Sequence, residues 1–459
     1  MKPPDATNRP LNLAPREPES ATVSKYQHMF PRLRQPNASE EALTRLGCSG
    51  SVLDDTSSFD HDSTLRENHC IPAGFTVFGQ LIAHDITADK STPQQHATVR
   101  KLINYRLPKL DLEPIYAGSP ITTPYLFDHD DLDKFLIGKN DEGLPNDLPR
   151  NSQGIAIIGD QRDDVHTLLS QLHLAFLKFH NAIVDWLRKE GTPAEAVYPE
   201  AQRLARWHYQ WIIVHEFLPL TVGREIVDDI LQNGLKYYTY KKQPYIPVEF
   251  ADAAYRYGHS QIRAIYALNA RVSGPIYPAF AGFAPVPQKN IIDWKYFFNV
   301  DPTFAAQPSR KIDTKLTHAL IKLPYPIVGK VDKPELASLA VRDLLRGKNL
   351  GLPSGEALAE YMNIAPLTEA ELDLASLSWK TETPLWFYIL KEAMVKNEGN
   401  QLGPVGGRIV GEVLIGLLKA DSYSYLSYQP DWAPTLPSKT PEEFTVADLL
   451  AFSGAIQSN

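Results

Sequence analysis

Apolar residues recur at three- and four-residue spacing along six stretches of the chain. That period predicts helices over Gly74–Thr87, Asp164–Lys189, Tyr198–Glu216, Pro334–Leu345, Ser354–Asn363 and Arg408–Lys419. End signals agree: Pro72 stands just ahead of the first, Pro334 opens the fourth, and Gly351 with Leu352-Pro353 behind it marks a stop. Strict alternation of β-branched residues is scarce, and Pro-rich connections join the helical stretches, so the predicted fold is mostly α with little β. Residues 1–24 show neither period and are dominated by polar residues and proline, which reads as a disordered or surface-wrapping arm.

Length and composition change this picture in a few places. A chain of 459 residues, 43% hydrophobic, buries a large core. The formal charge of −8 comes with no Lys/Arg block that would track phosphates, which argues against nucleic acid as a partner. The longest apolar runs, such as Trp211–Val214 and Val413–Leu418, fall far short of the about 18 residues of a membrane span. With no apolar stretch near Met1, a cytoplasmic location is expected. Two cysteines, Cys48 and Cys70, are too few for a disulfide framework; reduced thiols are expected, with a single bridge left open. The chemistry-bearing motifs run from residue 80 to residue 346, and their convergence on one pocket requires residues 25–459 to form one domain.

The first such motif is Phe75-Thr-Val-Phe-Gly-Gln-Leu-Ile-Ala-His-Asp-Ile-Thr87, which sets Gln80 and His84 one turn apart on one helix face. The second is Tyr255-Arg-Tyr-Gly-His259, where a glycine directly before a histidine lets a flat ligand approach, and neutral imidazole is a common iron ligand. Each alone is weak, since the chain holds thirteen histidines and most histidines are structural. Leu402-Gly-Pro-Val-Gly-Gly-Arg408 lacks the strand and lysine of a phosphate loop and reads as close backbone packing ahead of a core helix. The acidic run Asp128–Asp133 reads as a solvated loop.

Taken together, Phe78-Gly-Gln-Leu-Ile-Ala-His-Asp85, Gly159-Asp-Gln-Arg162, Phe179-His-Asn181, Tyr257-Gly-His259, Leu345–Pro353 and Leu402–Arg408 resemble the animal-type haem peroxidase family, of the peroxidase–cyclooxygenase superfamily, and its bacterial-style members in particular. The resemblance covers roughly residues 26–455. It implies a haem-dependent oxidoreductase that reduces hydrogen peroxide and oxidises a small organic or easily oxidised halide donor. It makes His84 the distal acid–base group, Gln80 its polar neighbour, Arg162 the catalytic arginine and His259 the proximal iron ligand. It also makes Arg256 and Arg346 partners of the haem propionates, and Asp343 the acceptor of the proximal imidazole N–H, where the animal enzymes usually carry Asn. A carboxylate there is the stronger acceptor and lowers the iron's reduction potential.

Departures from the family narrow the expectation. The positions whose side chains bond covalently to haem in the mammalian enzymes are Ala83, Val165 and His166 here, unless a one-residue shift brings in Asp164. Non-covalent haem b and weak or absent chloride oxidation are therefore expected. The family's calcium site maps onto Asp85, Asp111 and Glu113, with carbonyls from Leu107 and Lys109, an oxygen set that suits Ca²⁺. Its threonine is lost at Leu107, and the Lys109 ammonium stands to weaken or replace the metal. The superfamily's fatty-acid dioxygenases carry a radical-forming Tyr three residues before the proximal histidine. Arg256 occupies that place, with Tyr255 and Tyr257 beside it, so lipid oxygenation is the alternative reading, and a haem-binding or sensory protein without turnover is another.

Overall fold

The computed structural model describes residues 26–58, 62–89, 99, 102–241 and 243–456. The arm expected over residues 1–24 lies outside the described residues. Six helices position the site: α1 (Gly74–Ile86), α2 (Thr167–Lys189), α3 (Ala194–Ile212), α4 (Leu339–Asn349), α5 (Leu385–Asn397) and α6 (Pro404–Ala420). Strands among the described residues are confined to four two-stranded pairings, so the mostly α expectation holds.

α1 is almost wholly enclosed, which explains why its sequence is so apolar. Phe78 packs against Phe176 of α2, Tyr209 of α3 and Phe217, with ring centroids 6.5, 6.0 and 5.8 Å away. Each such aromatic pair adds about 0.5–1.5 kcal/mol beyond area burial. The helix carrying Gln80 and His84 is thus fixed from several sides.

Boundaries moved where a side chain competed with the period. α2 starts at Thr167, three residues after the expected Asp164, because the His166 ring caps it, its Nδ1 accepting from the Leu169 N–H at 3.2 Å. The predicted Tyr198–Glu216 helix begins earlier, at Ala194, and passes into a π-helical turn over Ile213–Phe217. The Pro334–Leu345 prediction splits at Ser338, whose hydroxyl accepts from Val341 N and starts α4 afresh. Gly351, at φ +68°, follows the end of α4 in the left-handed region that glycine tolerates. α5 was not predicted: Leu385 through Leu390 and Ala393 are all buried, and a helix buried on most sides has no polar face to give it a period.

Gly406 and Gly407 pack closely as expected, but within the first turn of α6 and not ahead of it. A Cβ on Gly406 would stand 2.7 Å from Ile389 Cγ2 of α5, and one on Gly407 would stand 2.9 Å from Ile226 Cδ1. Asp131 and Asp133 of the acidic loop pair with Arg188 near the end of α2, so that loop is ion-paired as well as solvated. Both cysteines are free thiols. No helix among the described residues is long and apolar enough to cross a membrane.

Two buried carboxyls give the fold a pH dependence. Burial pushes both Glu216 and Glu392 up to about 7 from 4.5, although each accepts backbone N–H bonds. A raised carboxyl leaves stability intact below its unfolded value and removes it as pH rises through the folded one. Unfolding midpoints in urea are therefore expected to fall between about pH 4.5 and 7, and the paired substitutions Glu216→Gln and Glu392→Gln flatten that slope. An unchanged slope refutes the assignment.

Candidate active site

α1 and the 3-10 segment Ala254–Gln261 line the same cleft, of about 410 Å³. α1 contributes Thr76, Gly79, Gln80, Ala83 and His84, a single stripe at helical spacing; the other segment contributes Tyr255 through His259. The structure therefore brings together Gln80, His84, Arg162, Arg256 and His259, although they lie up to 179 residues apart in sequence.

Each histidine is held by a buried carboxylate. His84 donates Nδ1–H to Asp163 Oδ1 at 2.7 Å, and His259 donates Nδ1–H to Asp343 Oδ2 at 2.7 Å. Both acids are fully enclosed. Burial raises each carboxyl, but hydrogen bonds and charge from His173 and His84, and from His259 and Arg256, outweigh it and hold both below the ordinary value. They are carboxylates at neutral pH, and a carboxylate only accepts, so Nε2 is the free nitrogen of each ring.

Arg162 is fixed where α1 ends. Its Nη2 donates to the carbonyls of His84 at 3.2 Å and Thr87 at 2.7 Å, and its Nε and Nη2 are clamped by Asp160. A cation suits these carbonyls at the helix C-terminus. Nη1 has no protein partner among the described residues. Arg106 holds Asp160 from the other side, and the two guanidiniums outweigh burial to keep that carboxyl well below its usual range.

Gln80 does not meet His84; its Oε1 accepts from His166 Nε2–H at 2.9 Å. Since His166 Nδ1 already accepts from Leu169 N, its proton must sit on Nε2, and Gln80 is left with its amide N–H₂. Burial, with His84 nearby, pushes His166 down to about 3, so it stays neutral. Ala83 and Val165 also border the cleft, whereas both Asp164 oxygens are taken by Arg150 at 2.6 and 2.8 Å.

A second, polar cavity of about 360 Å³ adjoins the first, and Thr87, Arg162, Ala251, Arg256 and Leu339 line both. Arg342 and Arg346 border it as well. Arg256 and Arg346 are not open donors awaiting an anion: Arg256 pairs with Asp343 and Asp252, and Arg346 with Asp252 and Asp89. A flat macrocycle suits the mostly apolar cleft with its two carboxylate-held histidines, whereas in the adjoining cavity Asp89, Asp252 and Asp343 stand beside the arginines, so an anionic edge there would have to displace existing ion pairs. A Cβ on Gly258 would enter open space, as a glycine facing such a ring requires.

The expected calcium ligands do not form a set. Asp85 accepts the backbone N–H groups of Leu112 and Glu113, at 3.1 and 2.7 Å, and the Tyr209 hydroxyl. Glu113 pairs with Arg106, the Leu107 carbonyl accepts from Lys109 N, and the Lys109 ammonium goes to Asp421. No three His, Cys, Asp or Glu residues among the described ones are arranged to hold a metal ion. Burial and the nearby Asp111 raise the Asp85 carboxyl well above its ordinary value. The Phe179-His-Asn181 motif is structural too: Asn181 bonds both backbone groups of Phe135, and His180 bonds the Asp133 carbonyl.

A family model described as animal haem peroxidase matches residues 93–381. The chain belongs to the animal haem peroxidase family. The matched segment holds Arg162, His259 and Asp343, and α1 with His84 precedes it. Chorion peroxidase of Aedes aegypti is 26% identical over 311 residues, covering 63% of this chain and 37% of that protein. Heme peroxidase 2 of Caenorhabditis elegans is 22% identical over 373 residues, covering 73% and 50%. The chain thus spans between about a third and a half of the length of these relatives. Among solved structures, peroxidase A from Dictyostelium discoideum shares the fold with a TM-score of 0.59 and 16% identity, over 95% of this chain and 90% of that one. The fatty acid alpha-dioxygenase of Oryza sativa shares it equally, at 0.59 and 14%, over 92% and 78%. Proteins with differently named activities thus share this fold, so the fold alone does not say which chemistry this chain performs.

The roles of Asp160, Asp163 and His166 in holding the site were not part of the sequence expectation, which met Asp160 only inside the Gly159–Arg162 motif and His166 only as a position unable to link haem. For the two acids, adjacency to Arg162 reads equally well as a surface ion-pair cluster.

Proposed function

We propose that this chain is a haem peroxidase that binds haem b non-covalently between His84 and His259, reduces hydrogen peroxide and oxidises a small organic or easily oxidised halide donor. The observation that carries this reading is the pair of carboxylate-held histidines, His84–Asp163 and His259–Asp343, on one cleft beside Arg162. When bound, haem would supply an iron centre for peroxide and the redox chemistry that oxidises the donor.

The protein's own residues do the rest. His259, its Nδ1–H given to Asp343, leaves Nε2 free and would hold the iron through it. His84 Nε2 would take a proton from one peroxide oxygen and hand it to the other, which would leave as water; the two electrons for this cleavage would come through bound haem from the donor, and with two protons they reduce the peroxide to two waters overall. Arg162 Nη1 stabilises the negative charge that develops on the departing oxygen, as a group that never loses its proton. Gln80, oriented by His166, offers an amide donor beside them. Calcium has no part in this reading.

Addition of peroxide to the haem-loaded protein in a stopped-flow spectrometer is expected to change the Soret band within the mixing series, and a phenol is then oxidised. Absence of any Soret change refutes turnover and favours a haem-binding or sensory role.

Because Ala83, Val165 and His166 are the residues at the linking positions and Asp164 is bound to Arg150, acid–acetone is expected to extract intact haem. Haem that stays with the denatured chain overturns this. Without such links, chloride oxidation is expected to be weak or absent.

Lipid oxygenation is the competing reading, supported by the shared fold with fatty acid alpha-dioxygenase and by Ile262, Ile276, Leu320 and Leu323 along the cleft. Against it stand Arg256 at the place of the radical tyrosine and the engaged hydroxyls of its neighbours, Tyr255 on the Gly79 carbonyl and Tyr257 on Thr221. Formation of a hydroperoxide from linoleate favours it.

A further inference from the structure

The 3-10 turn Gln161–Asp164 sends consecutive side chains in two directions. Arg162 borders the cleft, while Asp163 points inward and is completely enclosed. Both Asp163 oxygens are used: Oδ1 takes the Nδ1–H of His84 at 2.7 Å, and Oδ2 takes the Nδ1–H of His173 at 2.8 Å. His173 lies on α2, is fully buried, and its Nε2 has no partner among the described residues. A proton on that nitrogen would be an orphaned buried donor, which costs about 1–3 kcal/mol. The His173 ring is therefore the Nδ1–H tautomer, and it holds Asp163 in one orientation.

We propose that Asp163, held in turn by His173, is the positioning residue that locks the distal His84 with Nδ1–H toward the protein and the Nε2 lone pair toward the cleft. His173 makes no contact with the cleft and acts only through Asp163. The chain His173–Asp163–His84 ties α2 to α1 across the turn that also carries Arg162, so one turn sets both the proton acceptor and the charge stabiliser. A carboxylate that fixes an imidazole tautomer is worth several orders of magnitude where that imidazole must accept a proton. The inference rests on the proposed peroxidase reading for its kinetic consequence, but not for the tautomer itself.

Asp163→Asn tests it. Asparagine has one acceptor oxygen and one N–H₂ donor, so only one of the two histidines keeps its bond. If the wholly buried His173 retains the oxygen, the amide donates to His84 Nδ1 and the proton moves to Nε2, where it blocks proton uptake. In ¹⁵N-histidine-labelled, haem-free protein, long-range ¹H–¹⁵N spectra are expected to show His84 as the Nδ1–H tautomer, its signal identified by loss in His84→Gln. Asp163→Asn is expected to convert that signal to the Nε2–H or a mixed form. In the haem-loaded protein, the second-order rate with peroxide is expected to fall about 10²-fold or more, with haem affinity and the KM for a phenol unchanged and partial recovery in Asp163→Glu.

A wild-type spectrum showing His84 as Nε2–H overturns the proposal whether or not any variant folds. So does an Asp163→Asn protein whose His84 is the Nε2–H tautomer and which still reacts with peroxide at the wild-type rate. A wild-type protein with the expected tautomer but no reaction with peroxide overturns the peroxidase reading instead.

Discussion

Replacing His84 by alanine is expected to leave haem uptake intact and to slow the reaction with hydrogen peroxide by about 10²–10⁴-fold, the range that a positioned acid–base group contributes. The fold should tolerate the change. His84 is the last polar residue of α1's cleft stripe rather than a core contact, and Asp163 keeps His173 as a partner. What is lost is the acceptor at Nε2, and nothing else on the cleft replaces it. Gln80 is an amide without a titrating proton, and burial keeps His166 neutral with its Nδ1 capping α2 and its Nε2–H on Gln80. Arg162 is unaffected on its charge side, because Asp160 and the Thr87 carbonyl hold it, so residual activity should come from that arginine and from binding. Stopped-flow rates with peroxide, set beside melting curves and haem titrations, check this. A rate within about 10-fold of wild type would place the acid–base work elsewhere.

The parts of this molecule legible in its sequence are those set by local pattern. α1 was readable to within a residue because its ends carry signals and its cleft stripe repeats at helical spacing. Gln80, His84, Arg162, His259 and Asp343 were named through resemblance, and the structure gathers them on or beside one cleft. The partners that hold them were not legible. Asp163 reaches His84 across 79 positions, and Asp252 is shared by Arg256 and Arg346 across as many as 94. No period marks such pairings, since they follow from helix packing and not from local preference. Gln80 illustrates the limit: its helix face was right, but its partner is His166, which the sequence presented only as a position unable to link haem. Burial hid α5 for a related reason, as a helix enclosed on most sides leaves no alternation to read.

Two substitutions at Asp343 should separate its structural work from the electronic work proposed for it, with opposite signatures. Asp343→Ala is expected to destabilise the haem-free protein by about 3 kcal/mol, toward the lower end of what breaking a buried pair costs. The lower end applies because Arg256 keeps Asp252, although that carboxylate oxygen is already shared with Arg346 at 2.9 Å. Urea unfolding of the haem-free protein reads this directly, and a loss below about 1 kcal/mol would mean that solvent reaches Arg256 well enough to replace its partner. Asp343→Asn keeps volume and one acceptor oxygen, so the fold should lose less, but the charge disappears. Because His259 and Arg256 hold the native carboxyl below its ordinary value, a full negative charge faces the His259 N–H at neutral pH, and an amide oxygen is a weaker acceptor for that proton. With less imidazolate character pressed onto the iron, the ferric/ferrous midpoint of the haem-loaded Asp343→Asn protein is expected to rise. Spectroelectrochemical titration checks it. An unchanged or lower midpoint would show that Asp343 serves the fold through Arg256 and leaves the iron's electronics alone.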